Sequence, residues 1–545
     1  MENNFDVIIV GCGPTGAIAS LTLSNMGLKV ALIEKNAKPY PLPRAIALNG
    51  FSMNIIKDIL EEKWAEFNYT PAVEVGYVLS KEKMDEPFGK MQPPLIDKKL
   101  LDLDDYGFLN FFNQPQLEEL LRIKITEKDN ITTFFNHNAL VMWESSNQNH
   151  IKIEDLKNGN TKELTSKYLI GADGGGSFVR KQIGANLKTL GKAVHFLVVD
   201  ISAPRHALKE GKRFDAGGHQ IIDPKGKRPT TFLICEGKNH GNYKKHLRFE
   251  FALNQDDDHS KIQSPESIKE LISPYLDINK LKIDRSTVYK FNSLISTKWK
   301  VNNVFTVGDA THQTSPFIGQ GLNMGIRNTF NLTSKIELVE KKISKAKILE
   351  NYQTECYPDS EFIIKQSLFM GKMLFNIKPH INLLRSIVHF FNGKRGKPLD
   401  LFPAFVPKTI TVPNGFNPKK SSQSGYPMYN YINEHGNPKS LRTFYSNKYR
   451  ILCNKSAEKI TDEITKITEI LRPLLIVLSD GKNDEKTKDL FLVCSQRKED
   501  QLMHKKLFKK ADYVLMAPGY TMLGTYFFGD EKKIIKDYLS RFILN

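Results

Sequence analysis

Near its start the chain sets Val7-Ile8-Ile9-Val10 directly before Gly11-Cys12-Gly13-Pro14-Thr15-Gly16. An apolar run without alternation predicts a strand covered on both faces, as in a parallel sheet. Ala17 to Met26 has helical composition, and Val30 to Glu34 is a second buried strand, completing a βαβ unit. Two later runs also end at glycine: Tyr168-Leu169-Ile170-Gly171 and Val304-Phe305-Thr306-Val307-Gly308. Helices are predicted over Ser52 to Glu62, Gln116 to Glu127 and, after Gly321, onward to about His389. Ile131 to Trp143 and His150 to Leu156 alternate well enough for a β-meander. His195 to Asp200, Thr230 to Ile234 and Arg248 to Leu253 predict an antiparallel sheet inserted into the α/β unit. Gly, Pro, Lys and Ser crowd the stretch from Asn392 to Pro427, which reads as a linker. Beyond it, Leu474 to Leu478, Leu490 to Cys494, Ala511 to Met516 and Leu523 to Phe528 are strand-like, and Asp530 to Phe542 is helical.

The resulting division is residues 1–390, a linker over 391–427 and a separate C-terminal unit over 428–545. The inserted sheet draws on about residues 72–112 and 190–290. A chain of 545 residues agrees with this, at about 150 residues per domain. No run of about 18 apolar residues predicts a membrane span. The polar, acidic start is not that of a signal peptide, so a cytoplasmic protein is expected. Cys12, Cys235, Cys356, Cys453 and Cys494 include no C-x-x-C pair, which argues against a metal site, a redox dithiol or a disulfide framework. Cys12 reads as a small packing residue. The formal net charge of +18 invites a nucleic-acid reading. The lysines, however, are spread along the chain among Glu and Asp, which predicts a solvated basic surface suited to anionic small molecules, with no nucleic-acid partner.

The glycine spacing carries the chemistry. Gly11 permits a tight turn, Gly13 lets backbone approach a pyrophosphate, and Gly16 lets the helix pack on the strand. The helix N-terminus offers free N–H groups to an anion. Glu34, ending the second strand, is placed to accept from an adenosine ribose. Arg44 can pair with a phosphate or ribose, and Gln114, just before a helix, can reach a cofactor. Asp173 and Gly174 form a second strand-end turn, and Gly308 and Asp309 a third. Gly319 and Gly321 would let backbone approach a flat ring system, with the helix N-terminus stabilising negative charge on it. His312 offers a base or, preferably, a structural hydrogen bond. These residues alone leave FAD and NAD open.

Three motifs in order resemble those of the group A flavoprotein monooxygenases, the para-hydroxybenzoate hydroxylase fold. Gly11-x-Gly13-x-x-Gly16 resembles the ADP-binding motif. Gly171-Ala172-Asp173-Gly174 with Ser177, Val179 and Arg180 resembles the "DG" motif, and Gly308-Asp309-Ala310 with His312, Pro316, Gly319, Gln320, Gly321 and Asn323 the "GD" motif. Leu197 to Asp200, Asp223-Pro224, Arg228-Pro229-Thr230 and Arg248 to Phe251 are similar to the substrate sheet of the 3-(3-hydroxyphenyl)propionate hydroxylase and phenol-hydroxylase-like branch. The resemblance covers about residues 5 to 375. It implies a Rossmann-like FAD-binding domain with an inserted antiparallel sheet for substrate, followed by a thioredoxin-like α/β domain with an architectural role, a homodimer interface among them. It implies FAD as cofactor, NADPH or NADH as co-substrate, and transfer of oxygen from a flavin C4a-hydroperoxide to a phenolic or other electron-rich aromatic ring. The cofactor contacts it implies are Gly11, Gly13, Pro14, Thr15, Gly16, Glu34, Lys35, Arg44, Gln114, Asp173, Gly174, Arg180, Gly308, Asp309, Pro316, Gly319, Gly321, Leu322 and Asn323. Pro316 and Gly319 would lie beside the reacting edge of the flavin.

Three departures stand out. Asn328 replaces a frequent Asp of the following helix, Asn49 and Gly50 replace acidic residues, and Ala517-Pro518-Gly519-Tyr520 replaces Arg-Pro-Asp-Gly-Tyr. The alternatives are a non-hydroxylating flavin oxidoreductase, a flavin-dependent halogenase and, more distantly, a nucleic-acid-binding protein. The halogenase W-x-W-x-I-P pattern is missing, since Trp64, Trp143 and Trp299 are far apart.

Overall fold

The computed structural model describes residues 3–391, apart from segments 42–43, 72–73, 92–108, 204–216, 224–227, 236–244 and 376–378 and a few single positions, and after 391 only strands. The predicted βαβ unit forms as β1 (Asn4–Val10), the helix Pro14–Asn25 and β2 (Val30–Glu34). The first sheet has a parallel centre in the order β8 (Ile131–Phe135), β2, β1, β11 (Thr161–Gly171), β18 (Val304–Thr306). Its strands carry continuous apolar runs because both faces are covered. β17 (Lys300–Val301) adds antiparallel to β18, and β10 (Gln148–Asp155) and β9 (His137–Ser145) form a meander with β11.

The meander therefore differs from the expected one. Ile131 to Phe135 leaves it to pair parallel with β2, Val30 opposite Ile131, because its buried positions Ile131 and Phe134 serve the main core. Both early helices start two residues before their expected positions, each at a capping asparagine. Asn49 accepts from the Ser52 N–H at 2.9 Å, so that helix is Gly50–Leu60, and Asn113 accepts from the Gln116 N–H at 3.1 Å, so the next is Gln114–Thr126.

The second sheet runs β19 (His312–Gln313), β16 (Lys282–Ser296), β12 (Leu187–Ala203), β15 (Lys245–Ala252), β14 (Thr230–Cys235), β13 (Gly217–Ile221), β5 (Glu74–Val78), β6 (Gly89–Met91), β20 (Leu399–Asp400). It is mixed rather than wholly antiparallel. The β16 to β13 stretch is antiparallel, but β5 joins β13 in parallel, as β20 joins β6. β20 comes from the stretch read as a linker. One face buries Leu197, Val199, Phe232, Phe249 and Phe251 against the helix Pro265–Ile272; a third, small sheet is β3 (Ala47–Leu48), β7 (Asn110–Phe112) and β4 (Tyr69–Pro71).

In the C-terminal region β21 (Asn430–Ile432) pairs with β22 (Pro438–Ser440). A five-stranded mixed sheet has the order β25 (Phe491–Leu492), β24 (Leu474–Val477), β23 (Arg450–Cys453), β26 (Tyr513–Met516), β27 (Met522–Tyr526). The parallel pair β23–β24 beside the antiparallel β26–β27 hairpin is compatible with a thioredoxin-like unit. The expected helix from Asp530 and the Ala517–Tyr520 segment lie outside the described residues. No helix among those described is long and apolar enough to cross a membrane.

The helices Gly321–Glu340 and Asn351–Phe375 are joined by a buried charge pair. Lys335 Nζ donates to Glu355 Oε2 at 2.7 Å and to Asn331 Oδ1 at 2.8 Å, with Lys335 fully buried and Glu355 nearly so. Replacing Lys335 with Met leaves the carboxylate uncompensated, so urea denaturation at pH 7 should show a loss of roughly 3–5 kcal/mol. Adding Glu355→Leu should restore most of it.

Candidate active site

The carboxyl ends of β1, β2, β11 and β18 open on one side of the first sheet, at the point where the chain order reverses about β1, which is where open α/β sheets bind ligands. A cavity of about 770 Å³ lies there. Its other wall is the second sheet.

At the first strand end, Gly11 has φ +102°, and a Cβ on it would stand 2.4 Å from the Ala172 carbonyl oxygen. A Cβ on Gly16 would stand 2.0 Å from the Gly11 oxygen. Gly13 is the N-cap of its helix with no side-chain cap, so the N–H groups of that first turn face the cavity unclaimed by a capping side chain. Cys12 is buried behind the turn and burial raises its thiol to about 12, an inert packing residue as expected. Its N–H donates to Glu34 Oε2 at 2.8 Å, while Glu34 Oε1 accepts from Asn36.

The second strand end supplies Asp173. Its Oδ2 accepts from the Val179 N–H at 3.1 Å, and its Oδ1 is buried without a partner. Burial raises this carboxyl above its ordinary range. The third supplies Asp309, which faces the cavity; desolvation raises its carboxyl and the Arg44 charge lowers it. The loop Pro316–Ile318 and Gly319 (φ +60°) then leads to Gln320, which begins the helix Gly321–Glu340 without a side-chain cap. Two uncapped helix N-termini and glycine backbone at three strand ends form a cradle fitted to a long anionic dinucleotide.

All but three of the expected cofactor positions line this cavity. The exceptions stand behind it. Gly16 makes the helix–strand contact. Arg180 is buried and donates to the carbonyls of Ala310 (2.9 Å) and Gly175 (2.8 Å), tying the second strand-end loop to the third. Asn323 donates to the carbonyls of Ala47 (3.2 Å) and Gly319 (2.9 Å) and accepts from the Asn49 N–H (2.9 Å), fixing the shape of the loop. Gln114 lines the cavity with both ends of its amide engaged. It accepts from the N–H groups of Ala45 (2.6 Å) and Arg44 (3.3 Å) and donates to Glu118 (2.6 Å), so it shapes the Arg44 loop. His312 is buried outside the lining, bonded through Nε2 to Asn328 at 2.8 Å. Burial and the Arg327 charge push it down to about 4, so it is neutral and structural.

The sequence reading missed His137, Asn138 and Ala139 beside Glu34, and most of the far wall. That wall is apolar at Val75, Tyr77, Phe111 and Leu233, continuous with Phe317 and Ile318 of the loop, and polar at Gln220, Thr231, Arg248, Glu250, Arg285 and Tyr289. The alternation Arg248-Phe249-Glu250-Phe251 was the available signal: the phenylalanines fill the core, so the charges occupy the opposite face. Asp200, paired across the strands with Arg248 and Arg285, is bonded to both, at 2.8 Å from Arg248 Nε and 2.5 Å from Arg285 Nη2. Arg248 Nη1 also donates to the Arg44 carbonyl at 3.0 Å, joining the second sheet to the cofactor loop.

The fold and the cavity define a dinucleotide-binding protein whose cavity extends to the second sheet. A family profile described as FAD binding domain matches residues 4–367, and the chain belongs to that family. It is 24% identical over 412 residues to the 3-(3-hydroxy-phenyl)propionate/3-hydroxycinnamic acid hydroxylase of Comamonas testosteroni, covering 73% of this chain and 65% of that protein. It is 25% identical to a protein of the same description from Burkholderia vietnamiensis, covering 64% of this chain and 53% of the other. The chain thus spans between about half and two thirds of these relatives. The flavin-dependent monooxygenase PieE, solved with FAD and substrate, has a TM-score of 0.72 at 17% identity, with 99% of each chain covered. Aklavinone-11 hydroxylase, solved with FAD and aklavinone, has 0.72 at 16%, again with 99% of each.

Arg180→Ala should release two charge-assisted bonds worth roughly 1.5–3 kcal/mol each. Titrating the unfolded-and-reconstituted protein with FAD should show affinity weakened by about tenfold or more. His312 predicts a pH dependence of stability. Its folded value lies below the unfolded 6.5, so it contributes fully above 6.5, and its contribution, up to about 3 kcal/mol, is lost as the pH falls from 6.5 toward 4. In His312→Gln, denaturation midpoints measured across that window should lose this part of the slope.

Proposed function

We propose that the protein is an FAD-dependent, NAD(P)H-consuming monooxygenase that hydroxylates a phenolic or other electron-rich aromatic compound. The observation that carries this reading is the single cavity in which three glycine-rich strand ends face a half-apolar sheet, with the Pro316–Leu322 loop between them. The descriptions of the relatives as hydroxylases and of PieE as a monooxygenase support it. None of the three tryptophans lines the cavity, which favours hydroxylation over halogenation.

Bound FAD would supply the acceptance of a hydride and the activation of dioxygen. The uncapped N-terminus behind Gly13 would hold the pyrophosphate, Glu34 and His137 the adenosine end, and Asp309 the ribityl chain. Backbone at Gly319 to Leu322 would lie along the ring system and stabilise negative charge on it. Val75, Tyr77, Phe111 and Leu233 would bind the aromatic ring and exclude water from the reacting edge. Asn323, Gln114 and Arg180 would hold the loops in place.

The FAD-loaded protein should oxidise NADH or NADPH faster, with matching oxygen uptake, in the presence of a member of a panel of phenols and hydroxyphenyl acids. Mass spectrometry should find a product heavier by one oxygen atom. Stimulated oxidation that yields only hydrogen peroxide with every compound would contradict hydroxylation.

A further inference from the structure

A phenol is more easily hydroxylated as its phenolate, whose ring is richer in electrons, so a group that takes the hydroxyl proton serves the reaction proposed above. Among the described residues lining the cavity, the carboxyl groups are Glu34, Asp173, Asp309 and Glu250. The first three belong to the cofactor strand ends, and only Glu250 stands on the second sheet.

Two carboxyls of that sheet are close together but differ in kind. Asp200 lies outside the cavity lining and is bonded to both Arg248 and Arg285, so it is committed to them. Glu250 lies two residues from Arg248 on β15 and therefore on the same face. It lines the cavity, is only 7% exposed, and accepts no hydrogen bond from a described residue; Arg248 Nη1 stands 4.0 Å from its Oε1. Its cross-strand neighbours leave it free: Val198 is apolar, and the Thr231 hydroxyl donates to Gln220 Oε1 at 2.8 Å.

The charges around it suit a proton acceptor. Arg248 and Arg285 favour the ionised form of Glu250, and Asp200 opposes it. Moving a proton from a substrate hydroxyl to Glu250 shifts the negative charge onto the phenolate oxygen in the same cavity, which the same two arginines line. No net charge is created in a site of low dielectric. Burial raises the Glu250 carboxyl and Arg248 lowers it, bringing its proton affinity nearer to that of a phenol. Other titratable groups on facing elements include Arg44 and Tyr40 of the loop after β2, Tyr77 of β5, and Tyr289 and Lys290 of β16; burial raises Tyr77 and Tyr289, and Tyr289 accepts from Arg285 at 2.8 Å.

The geometry points to Glu250 as the group that accepts the hydroxyl proton of the aromatic substrate. The phenol O–H bond breaks, an O–H bond forms on a Glu250 oxygen, and the electron pair stays on the phenolate; nothing is oxidised or reduced in this step. The assignment rests on the hydroxylase reading.

The test uses the FAD-loaded full chain and the phenol panel, beginning with 3-(3-hydroxyphenyl)propionate, from pH 6 to 10. At pH 7, Glu250→Gln should lose roughly 10²-fold or more of the phenol-stimulated rate. It should retain FAD and still bind the phenol, read by quenching of flavin fluorescence, because the amide oxygen accepts a hydrogen bond without accepting the proton. Its rate should climb with pH toward the wild-type plateau as the phenol ionises in solution. Glu250→Asp, which keeps a carboxyl, should retain the wild-type pH profile at a lower rate. A Gln variant as active as wild type at pH 7, or one whose deficit is the same at every pH, overturns the assignment and leaves the hydroxylase reading standing. A wild-type protein unresponsive to every phenol removes that reading and the assignment with it.

Discussion

Everything at the site depends on backbone approaching backbone where the central strands end. The turn after β1 touches the turn after β11 so closely that a single methyl group on Gly11 would overlap the Ala172 carbonyl. The helix that follows is seated against Gly11 with the same tightness at Gly16, and Gly308 of the third strand end sits against Thr15, 2.9 Å from a Cβ position to the threonine hydroxyl. These contacts bring three loops together around one space, with the uncapped helix end beside it. A well-packed interior transmits any added volume as displacement, so the cradle tolerates little change at these points.

Around that core the structure separates residues that line the cavity from residues that hold them. Arg180 links two strand-end loops, Asn323 spans the Pro316–Gly319 loop and the Asn49 turn, and Gln114 shapes the Arg44 segment. The Arg248 bond to the Arg44 carbonyl carries the same logic across to the second sheet, so the Arg44 loop and the far wall share a guanidinium. Two of the departures from the family pattern fit this division. Asn49 caps a helix, and Asn328 holds a neutral His312.

The cofactor half was legible because its constraints are local. A buried strand running into glycine, then a helix, reports a turn and a close approach within a few residues, and three such signals marked three strand ends. The expected inserted sheet was also found, although its β5 edge pairs in parallel, which no local pattern indicates. Ile131 to Phe135 alternates much as a meander strand would, and only its long-range pairing with β2 distinguishes the two. Arg180 and Asn323 stand outside the cavity lining, and motif membership does not reveal whether a side chain lines the cavity or supports the loop behind it. The charged wall stayed hidden for a related reason. Arg248-Phe249-Glu250-Phe251 declares a two-faced strand, but not that its polar face is also buried, against a cavity closed by the Arg44 loop.

The shared cavity is tested most directly by a crystal structure of the FAD-loaded protein with a bound phenol. The adenosine should lie at Glu34 and His137, the ring system along Gly319 to Leu322, and the phenol between that ring and the wall of Tyr77, Leu233 and Glu250. A flavin whose ring lies away from that loop, or a phenol bound outside this cavity, would contradict the arrangement on which the function rests.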